Sequence, residues 1–261
     1  MPLLRTDDDA VATLTLNLPE RANALTTELK SALRDALLEV SGDPGVRAVV
    51  LTGSGSAFCV GQDLAEHAAA LRSGGPQAAF ATVTEHYNPI VTALVTMPQP
   101  VVAAINGSCV GAGLGFALAC DVRIAADTAR FGTAFTAIGL TCDSGLSASL
   151  ARAVGAARAS ELVLLAEPFT AEQALAWGVV GRVVPVAELA ASAQRLAARL
   201  AAGPTLAYAE AKRAMREGWG ADLARVLATE GTGQLRLGAT TDHQGAVAAF
   251  LAKQKPVFTA R

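Results

Sequence analysis

Two glycine-bearing loops, each following a short apolar run, constrain the fold of this chain more than any other feature. Residues 101–105 form one apolar run, and Gly111-Ala112-Gly113 follows it, while the run at residues 46–52 precedes the loop at residues 58–64. Such runs predict buried strands, and glycine after a strand permits the positive φ of a tight turn. The repeated succession of strand, glycine turn, helix and strand predicts an α/β class of stacked ββα turns, with helices on one side.

Periodicity predicts the other elements. Leucines at three- and four-residue spacing predict an amphipathic helix that begins at Thr26, with Thr26 or Thr27 as its cap, and ends before Gly42. Alternation over residues 10–18 predicts a half-buried strand, and residues 122–125 return as a strand. From Ser147 onward the pattern is mostly helical. Further helices are predicted over residues 77–96, 114–120, 187–202, 206–218, 222–235 and 241–253.

The length of 261 residues suffices for one substantial core. We predict an α/β core over residues 1–200 and a C-terminal helical oligomerisation region over residues 201–261. With 52% hydrophobic and only 17% charged residues, the surface is too poor in charge for a fully solvated monomer of this size, which predicts an oligomer. The alanine-rich helical tail either caps its own core or forms a subunit interface, and we favour the interface.

Net charge, hydropathy and cysteine content argue against several classes of protein. A net charge of -2 offers no attraction for nucleic acid or an anionic membrane. No apolar run approaches the roughly 20 residues of a membrane span, and aspartates 7–9 stand where a signal peptide would be apolar. The four cysteines lack CxxC spacing, which predicts small core or loop residues in a reduced, cytoplasmic compartment. The three histidines lack a ligand pattern, so we predict neither a metal site nor a Ser-His-Asp triad.

The two loops share a chemical possibility. Both follow strands, and their glycines allow close approach of the backbone, so two N–H groups could converge on one developing negative oxygen as an oxyanion hole. The alternative is that each glycine only makes a turn. Neither loop matches a dinucleotide-binding or a phosphate-binding glycine motif, because the second lacks the later glycine of GxGxxG and the GK[ST] of a P-loop.

Carboxylates are scarce between residues 101 and 145, where only Asp121, Asp127 and Asp143 occur. Asp121 and Asp127 flank a short strand with arginines nearby, which predicts surface or salt-bridge positions. Asp143 precedes Ser144-Gly145 after an apolar run, where capping of the next helix is the simplest interpretation. Asp63 could likewise cap the helix that follows it.

Several pieces in order carry a family resemblance. They are LNLPERANAL at residues 16–25, AFCVGQDL at 57–64, AING at 104–107, GAG at 111–113 and Cys120-Asp121. With these pieces the chain resembles the crotonase superfamily, the enoyl-CoA hydratases and isomerases, nearly from end to end. The resemblance implies a crotonase-like spiral of ββα turns with a C-terminal helical trimerisation region. It also implies a homotrimer or dimer of trimers and an acyl-CoA thioester substrate, with coenzyme A as part of the substrate and no separate cofactor.

The resemblance assigns site residues. The backbone N–H groups of Gln62 and Ala112 would hold the thioester carbonyl, and coenzyme A would lie against Arg21, Ala22 and Ala24. Phe250 and Lys253 match positions that in relatives approach coenzyme A from a neighbouring subunit. Leu146 could narrow the acyl pocket or tighten helix packing. The other positions expected to contact substrate are Gly61, Asp63, Leu64, Gly111 and Phe135.

The catalytic acids depart from the hydratase pattern. Hydratases of this family use two glutamates, and the matching positions here are Gly115 and Phe135, which cannot exchange a proton. Losing a general acid or base typically costs ~10²–10⁴-fold in rate, so the usual hydration chemistry is not expected. The chain resembles instead the 1,2-epoxyphenylacetyl-CoA isomerase-like subgroup, in which the acid at the position of Asp143 transfers the proton. Relatives usually have Pro before that acid and Gly-Gly-Thr after it, whereas Cys142 and Gly145-Leu146-Ser147 stand here.

These features predict an acyl-CoA isomerase that shifts a double bond or rearranges a ring epoxide of a CoA thioester. An apolar wall that includes Phe135 and Ile138 would desolvate Asp143 and make it more basic, which suits a proton shuttle. Two alternatives stay open. The first is an enoyl-CoA hydratase of fatty-acid or aromatic catabolism with unusual acids, and the second is a noncatalytic acyl-CoA binding protein.

Overall fold

The computed structural model describes residues 1–260, which form ten strands and eleven α-helices. The strands are β1 (Leu3–Asp8), β2 (Val11–Leu16), β3 (Ala48–Gly53), β4 (Ala57–Cys59), β5 (Val101–Ile105), β6 (Ser108–Val110), β7 (Val122–Ala126), β8 (Arg130–Gly132), β9 (Phe169–Thr170) and β10 (Arg182–Val184). The helices are α1 (Thr27–Gly42), α2 (Leu64–Thr82), α3 (Asn88–Thr96), α4 (Ala112–Ala119), α5 (Leu146–Val154), α6 (Ala156–Leu165), α7 (Ala171–Ala176), α8 (Leu189–Ala201), α9 (Thr205–Gly218), α10 (Leu223–Gly238) and α11 (Thr241–Leu251).

Two sheets are wound together. The larger has the order β1-β2-β3-β5-β7-β10 and is parallel except for the antiparallel pair β1 and β2. The smaller has the order β4-β6-β8-β9 and is parallel except at β9. Strands β3, β5 and β7 of the large sheet are each followed by a strand of the small sheet and then by helices. The repeated ββα turn predicted from the two glycine loops is therefore confirmed.

The large sheet is covered on both faces. In β5 every residue is buried, and alternate side chains enter two separate apolar clusters. The larger cluster includes α1, α3 and α4, whereas α8 covers the opposite face against Val50, Val102 and Ile124. The expectation of helices on one side only is wrong, because a parallel sheet with fully apolar strands needs a cover on each face.

The first helix follows its leucine pattern. Leu29, Leu33 and Leu37 are fully buried, and the Thr26 hydroxyl accepts a hydrogen bond from the Leu29 N–H at 3.2 Å. That bond satisfies one of the donors that a helix N-terminus leaves without a partner. The predicted cap at Thr26 and the predicted end near Gly42 are both confirmed.

Two local elements were not predicted. Residues 3–8 form a strand at the edge of the large sheet. Charged side chains are common on exposed edge strands, and the aspartates at its end mask the usual apolar pattern of a strand. A helical stretch that the sequence analysis did not predict begins at Leu64 and is interrupted at Gly75, whose φ of +67° is not helical; the helix predicted over residues 77–96 follows this break and continues through a π turn over residues 83–87 into α3. Glycine tolerates the positive φ at this break, so the helix predicted to begin at residue 77 is confirmed and the stretch before Gly75 is the part that was missed.

The C-terminal region from α9 onward is helical, as predicted. Asp222 and Thr240 cap α10 and α11 through the N–H groups of Arg225 and His243. Helix α9 is docked on the core by Lys212, whose Nζ lies 2.7 Å from Asp121 Oδ2 and also donates to the Gln99 carbonyl. Asp121 is thus the salt-bridge residue that the sequence predicted. Across residues 1–260, no helix combines the length and apolar character needed to cross a membrane.

Candidate active site

A cavity of about 510 Å³ opens where the two glycine loops meet. Ten of the residues that the sequence analysis assigned to the site line it: Arg21, Ala24, Gly61, Gln62, Asp63, Leu64, Gly111, Ala112, Phe135 and Asp143. The remaining wall is mostly apolar and includes Val60, Phe80, Val83, Ile138 and Leu140. A mostly apolar pocket with a few polar groups is typical of a small-molecule site.

The loop at Gly61 is held by its neighbours. Gly61 has φ +85°, and Leu25 N–H donates to its carbonyl at 2.8 Å, while Asp63 N–H donates to the Leu25 carbonyl. The loop at Gly111 is held in the same manner, because Gly111 N–H donates to the Gly132 carbonyl at 3.0 Å. Gly111 has φ +58°, a backbone conformation that favours glycine.

The two loops are in contact. A Cβ built on Gly61 would lie 3.4 Å from the Ala112 nitrogen, and one on Gly113 would lie 2.3 Å from the Cys59 carbonyl oxygen. A side chain at Gly113 would push α4 away from β4, and one at Gly61 would crowd the Val110 carbonyl at 3.2 Å and strain a backbone of positive φ. Within residues 1–260, neither the Gln62 N–H nor the Ala112 N–H has a hydrogen-bond acceptor. Two unpartnered amides on adjoining loops, one of them at a helix N-terminus, suit a negative oxygen atom.

Asp143 is half-buried in the cavity wall, together with Phe135 and Leu140. Burial raises the pKa of this carboxyl, and the Ser144 hydroxyl, which donates to Oδ1 at 2.8 Å, partly offsets that rise. The Asp143 side chain does not cap α5, because Gly145 occupies the cap position. The simple capping interpretation is therefore wrong, and the carboxylate is exposed to whatever fills the cavity.

Asp63 is the second carboxylate of the cavity wall, and its oxygens are engaged. It caps α2 by accepting from the N–H groups of Ala65 and Glu66, both at 3.0 Å, and it accepts from Arg21 Nη1 at 3.0 Å. The Glu66 N–H, followed by Arg21, lowers the pKa of Asp63. The predicted capping role is confirmed, and these partners keep Asp63 ionised.

The two positions that match the hydratase glutamates differ in their surroundings. Phe135 lines the cavity, whereas Gly115 does not. A Cβ on Gly115 would lie 2.6 Å from Ser144 Cβ and 3.0 Å from the Ser144 carbonyl oxygen. The segment that carries Asp143 thus occupies the space that a side chain at position 115 would need.

The structure leaves four assigned residues outside this cavity. Ala22 lies beside it in a left-handed turn at φ +50°. Leu146 is fully buried in the main core, which favours its packing role over narrowing of the acyl pocket. Phe250 lies in the last turn of α11 and Lys253 just after it. Both side chains are exposed, and neither lines the cavity of its own chain.

Two residues that shape the site have no place in the assignments above. Tyr87 lines the cavity and donates its hydroxyl hydrogen bond to Gln62 Oε1, and Lys30 Nζ lies 3.2 Å from the same oxygen. Lys30 occupies the buried stripe of α1, three residues before Leu33, so a cation within the apolar spacing was the signal available in the sequence.

The comparisons with known proteins agree in one family. Residues 6–261 match the family model described as enoyl-CoA hydratase/isomerase. The 1,2-epoxyphenylacetyl-CoA isomerase of Escherichia coli is 39% identical over 97% of both chains, and a Rhodobacter capsulatus protein named as an enoyl-CoA hydratase is 42% identical over 97% of this chain and 96% of its own. A solved structure from Mycobacterium abscessus, described as an enoyl-CoA hydratase/isomerase, is 52% identical, covers 99% of this chain and 100% of its own, and superposes with a TM-score of 0.95.

Proposed function

The chain belongs to the enoyl-CoA hydratase/isomerase family, and within it we propose that this protein is an acyl-CoA isomerase that shifts a double bond or rearranges a ring epoxide. The observation that carries this choice is the half-buried Asp143, whose carboxylate faces the cavity without a cation partner among the described residues. The other carboxylate in the cavity wall, Asp63, already accepts hydrogen bonds from Arg21 and from the first N–H groups of α2.

The chemistry needs one acid and two amides. The Gln62 and Ala112 N–H groups would donate hydrogen bonds to the thioester oxygen and stabilise the negative charge that develops on it when a neighbouring carbon loses a proton. Asp143 takes that proton and returns it to another carbon, so atoms and charge balance within one substrate molecule. The raised pKa of Asp143 makes its carboxylate a stronger base for removing the proton, and a pKa closer to neutral pH suits a group that must act first as a base and then as an acid.

The coenzyme A part of the substrate would lie along Arg21, Ala22 and Ala24. Arg21 has a half-exposed side chain next to the cavity and offers a cation to an anionic handle. Phe250 and Lys253 would reach this handle from a neighbouring subunit, since they lie outside the cavity of their own chain.

Product analysis by mass spectrometry and NMR tests the proposal directly. The purified protein is incubated with 2-enoyl, 3-enoyl and ring-epoxide CoA esters, and isomeric products of unchanged mass are expected. A gain of one water in the product would contradict isomerisation. Binding of every ester without conversion would also contradict it and would favour a noncatalytic binding protein.

Hydration is the second candidate, because several relatives are named as enoyl-CoA hydratases. Loss of the enoyl-thioester absorbance of crotonyl-CoA, together with a product heavier by one water, measures hydration. Fast loss by the wild-type protein would show that hydration does not require glutamates at positions 115 and 135, and the isomerase assignment would then fail.

The pH dependence follows from the shift at Asp143. The carboxyl must be ionised to accept a proton, so kcat/KM is expected to fall as the pH decreases. The midpoint of this acidic limb should lie at a higher pH than the ordinary pKa of an aspartate. Ser144→Ala removes the hydrogen bond that lowers this pKa, so the limb should move to higher pH. Ser149→Ala is the matched control in the helix that follows, α5. It removes only a hydrogen bond to the Gly145 carbonyl and should leave the acidic limb at the same pH. A limb that moves to lower pH in Ser144→Ala would contradict the assignment.

We expect the chain to assemble as a trimer or a dimer of trimers through its C-terminal helices. Leu223, Leu235 and Phe250 are 72%, 79% and 81% exposed in the isolated chain, which is a large apolar area for solvent to cover. Light scattering coupled to size exclusion should give three or six times the 26.5 kDa of one chain. A stable monomer at micromolar concentration would rule out this assembly.

A further inference from the structure

A buried lysine lies directly behind the loop that carries Gln62. Lys30 on α1 is 2% exposed, and its Nζ lies 3.2 Å from Gln62 Oε1 and 5.6 Å from the centre of the Tyr87 ring. Within residues 1–260, no carboxylate oxygen comes within ion-pair distance of this ammonium group. Burying a charge without a counter-ion is unfavourable to folding, so Lys30 is a poor choice for a residue that only packs.

The ammonium group and Tyr87 act on the same atom. Tyr87, which is 1% exposed, donates its hydroxyl hydrogen bond to Gln62 Oε1, and Lys30 donates to that oxygen from the other element. Gln62 Nε2 in turn donates to the Asp63 carbonyl at 3.3 Å. The Gln62 side-chain amide is therefore held at its oxygen by both α1 and the π turn, and at its nitrogen by the Asp63 carbonyl.

The hydrogen bonds to the Gln62 side chain also affect the position of the Gln62 backbone N–H. Backbone hydrogen bonds to Leu25 hold the Gly61 carbonyl and the Asp63 N–H on either side of Gln62, and the bonds to the Gln62 side chain add a further restraint on the peptide unit between them. The Gln62 N–H has no acceptor within the described residues and lies in the cavity wall, whereas Lys30 does not line the cavity. Lys30 therefore acts on a bound thioester through residues that line the cavity, and of its two contacts there, Gln62 and Tyr87, Gln62 carries the unpartnered backbone N–H.

We propose that Lys30 is a positioning residue: together with Tyr87 it holds Gln62 Oε1, and thereby keeps the Gln62 N–H aligned with the Ala112 N–H for the thioester oxygen. This role rests on the proposed function, because it assumes that these two amides polarise a thioester. Burial also lowers the pKa of Lys30, while Glu66 and Asp63 oppose that change and help to keep the group charged.

Lys30→Met tests the role, since methionine keeps the length of the side chain and removes its charge and donors. We expect kcat to fall about tenfold, less than the ~10²–10³-fold that loss of a whole oxyanion donor costs, with KM nearly unchanged. The melting temperature should stay constant or rise, because an unpaired buried charge is gone. Tyr87→Phe removes the other donor, and the double variant should lose less than the product of the two single losses, since both act on one oxygen.

A second readout does not depend on turnover. The absorbance of a conjugated thioester such as cinnamoyl-CoA moves to longer wavelength when its carbonyl is polarised. Lys30→Met should bind this ester with nearly wild-type affinity and show a smaller shift. Lys212→Met is the matched control, because Lys212 is also buried but pairs with Asp121; it should lower the melting temperature and leave the shift unchanged.

Each outcome decides the role. An unchanged kcat and an unchanged shift in Lys30→Met overturn it. A lower melting temperature together with a full-size shift in the folded protein also overturns it, because Lys30 would then serve only packing. If the wild-type protein shifts the absorbance of cinnamoyl-CoA but isomerises none of the esters, the proposed function fails. The role of Lys30 is then decided by comparing the absorbance shift in Lys30→Met with that in the wild type. If the wild-type protein gives no shift, both fail.

Discussion

Asp143→Asn should lower the kcat of acyl-CoA isomerisation by about 10²–10⁴-fold and leave the binding of CoA esters nearly intact. Asparagine has the size of aspartate but cannot take up a proton, so the change removes the base without opening the cavity. The two backbone amides at Gln62 and Ala112 stay in place to hold the thioester oxygen. Steady-state kinetics on the best substrate of the panel gives kcat, and calorimetric titration with a product analogue gives the affinity.

The same substitution separates loss of catalysis from loss of folding. The pKa of Asp143 is raised in the folded protein, so folding favours the protonated carboxyl, and this group destabilises the fold as the pH rises through that raised pKa. A neutral side chain removes the penalty, and we expect Asp143→Asn to melt at the same temperature as the wild type or higher at pH 7. Asp127→Asn is the matched control on an exposed aspartate and should keep full activity. Full activity in Asp143→Asn would refute the proton-shuttle role.

Gly115→Glu should fail to create a hydratase and should destabilise the fold by about 1–3 kcal/mol or more. Position 115 matches one of the two glutamates of the hydratases, so this change would supply one of the two missing acids. The structure opposes this, because the first carbon of any side chain at residue 115 would lie 2.6 Å from Ser144 Cβ. The displaced segment would carry Asp143 with it, so isomerase activity should fall together with stability. Chemical denaturation and the crotonyl-CoA assay measure the two effects.

A pair of smaller variants isolates the steric cause. Gly115→Ala brings the same Cβ into contact with Ser144 and should destabilise the protein without adding charge. Adding Ser144→Gly removes the nearest contacted atom, the Ser144 Cβ, while the carbonyl oxygen at 3.0 Å stays; glycine also suits the positive φ of +52° at that residue, so the double variant should recover part of the lost stability. Robust hydration by Gly115→Glu, or no recovery in the double variant, would contradict the explanation by crowding.

Local sequence predicted the parts of the fold that rest on short-range patterns. The leucine spacing of α1, its Thr26 cap and the apolar run of β5 are confirmed, because periodicity and capping act within a few residues. The two glycine loops were also found by sequence, since a positive φ and close backbone approach leave few alternatives to glycine at Gly61 and Gly111.

Features that depend on distant partners escaped sequence reasoning. Helix α8 covers the second face of the sheet, and nothing within its own sequence tells which face it meets. Lys30 and Tyr87 converge on Gln62 from elements that lie 32 and 25 residues away in the chain. The collision between Gly115 and Ser144 likewise joins two segments whose proximity only the folded chain reveals. Tertiary contacts of this kind carry no local signature.

The use of main-chain amides at Gln62 and Ala112 has a consequence for how such a protein can change over evolutionary time. Every residue except proline supplies the same N–H, so most point mutations at these two positions cannot delete the polarising group itself. The acid is a side chain and can be gained, lost or moved by a single codon change. New reactions on thioesters can therefore arise by exchanging acids around a carbonyl-binding pair that mutation rarely erases.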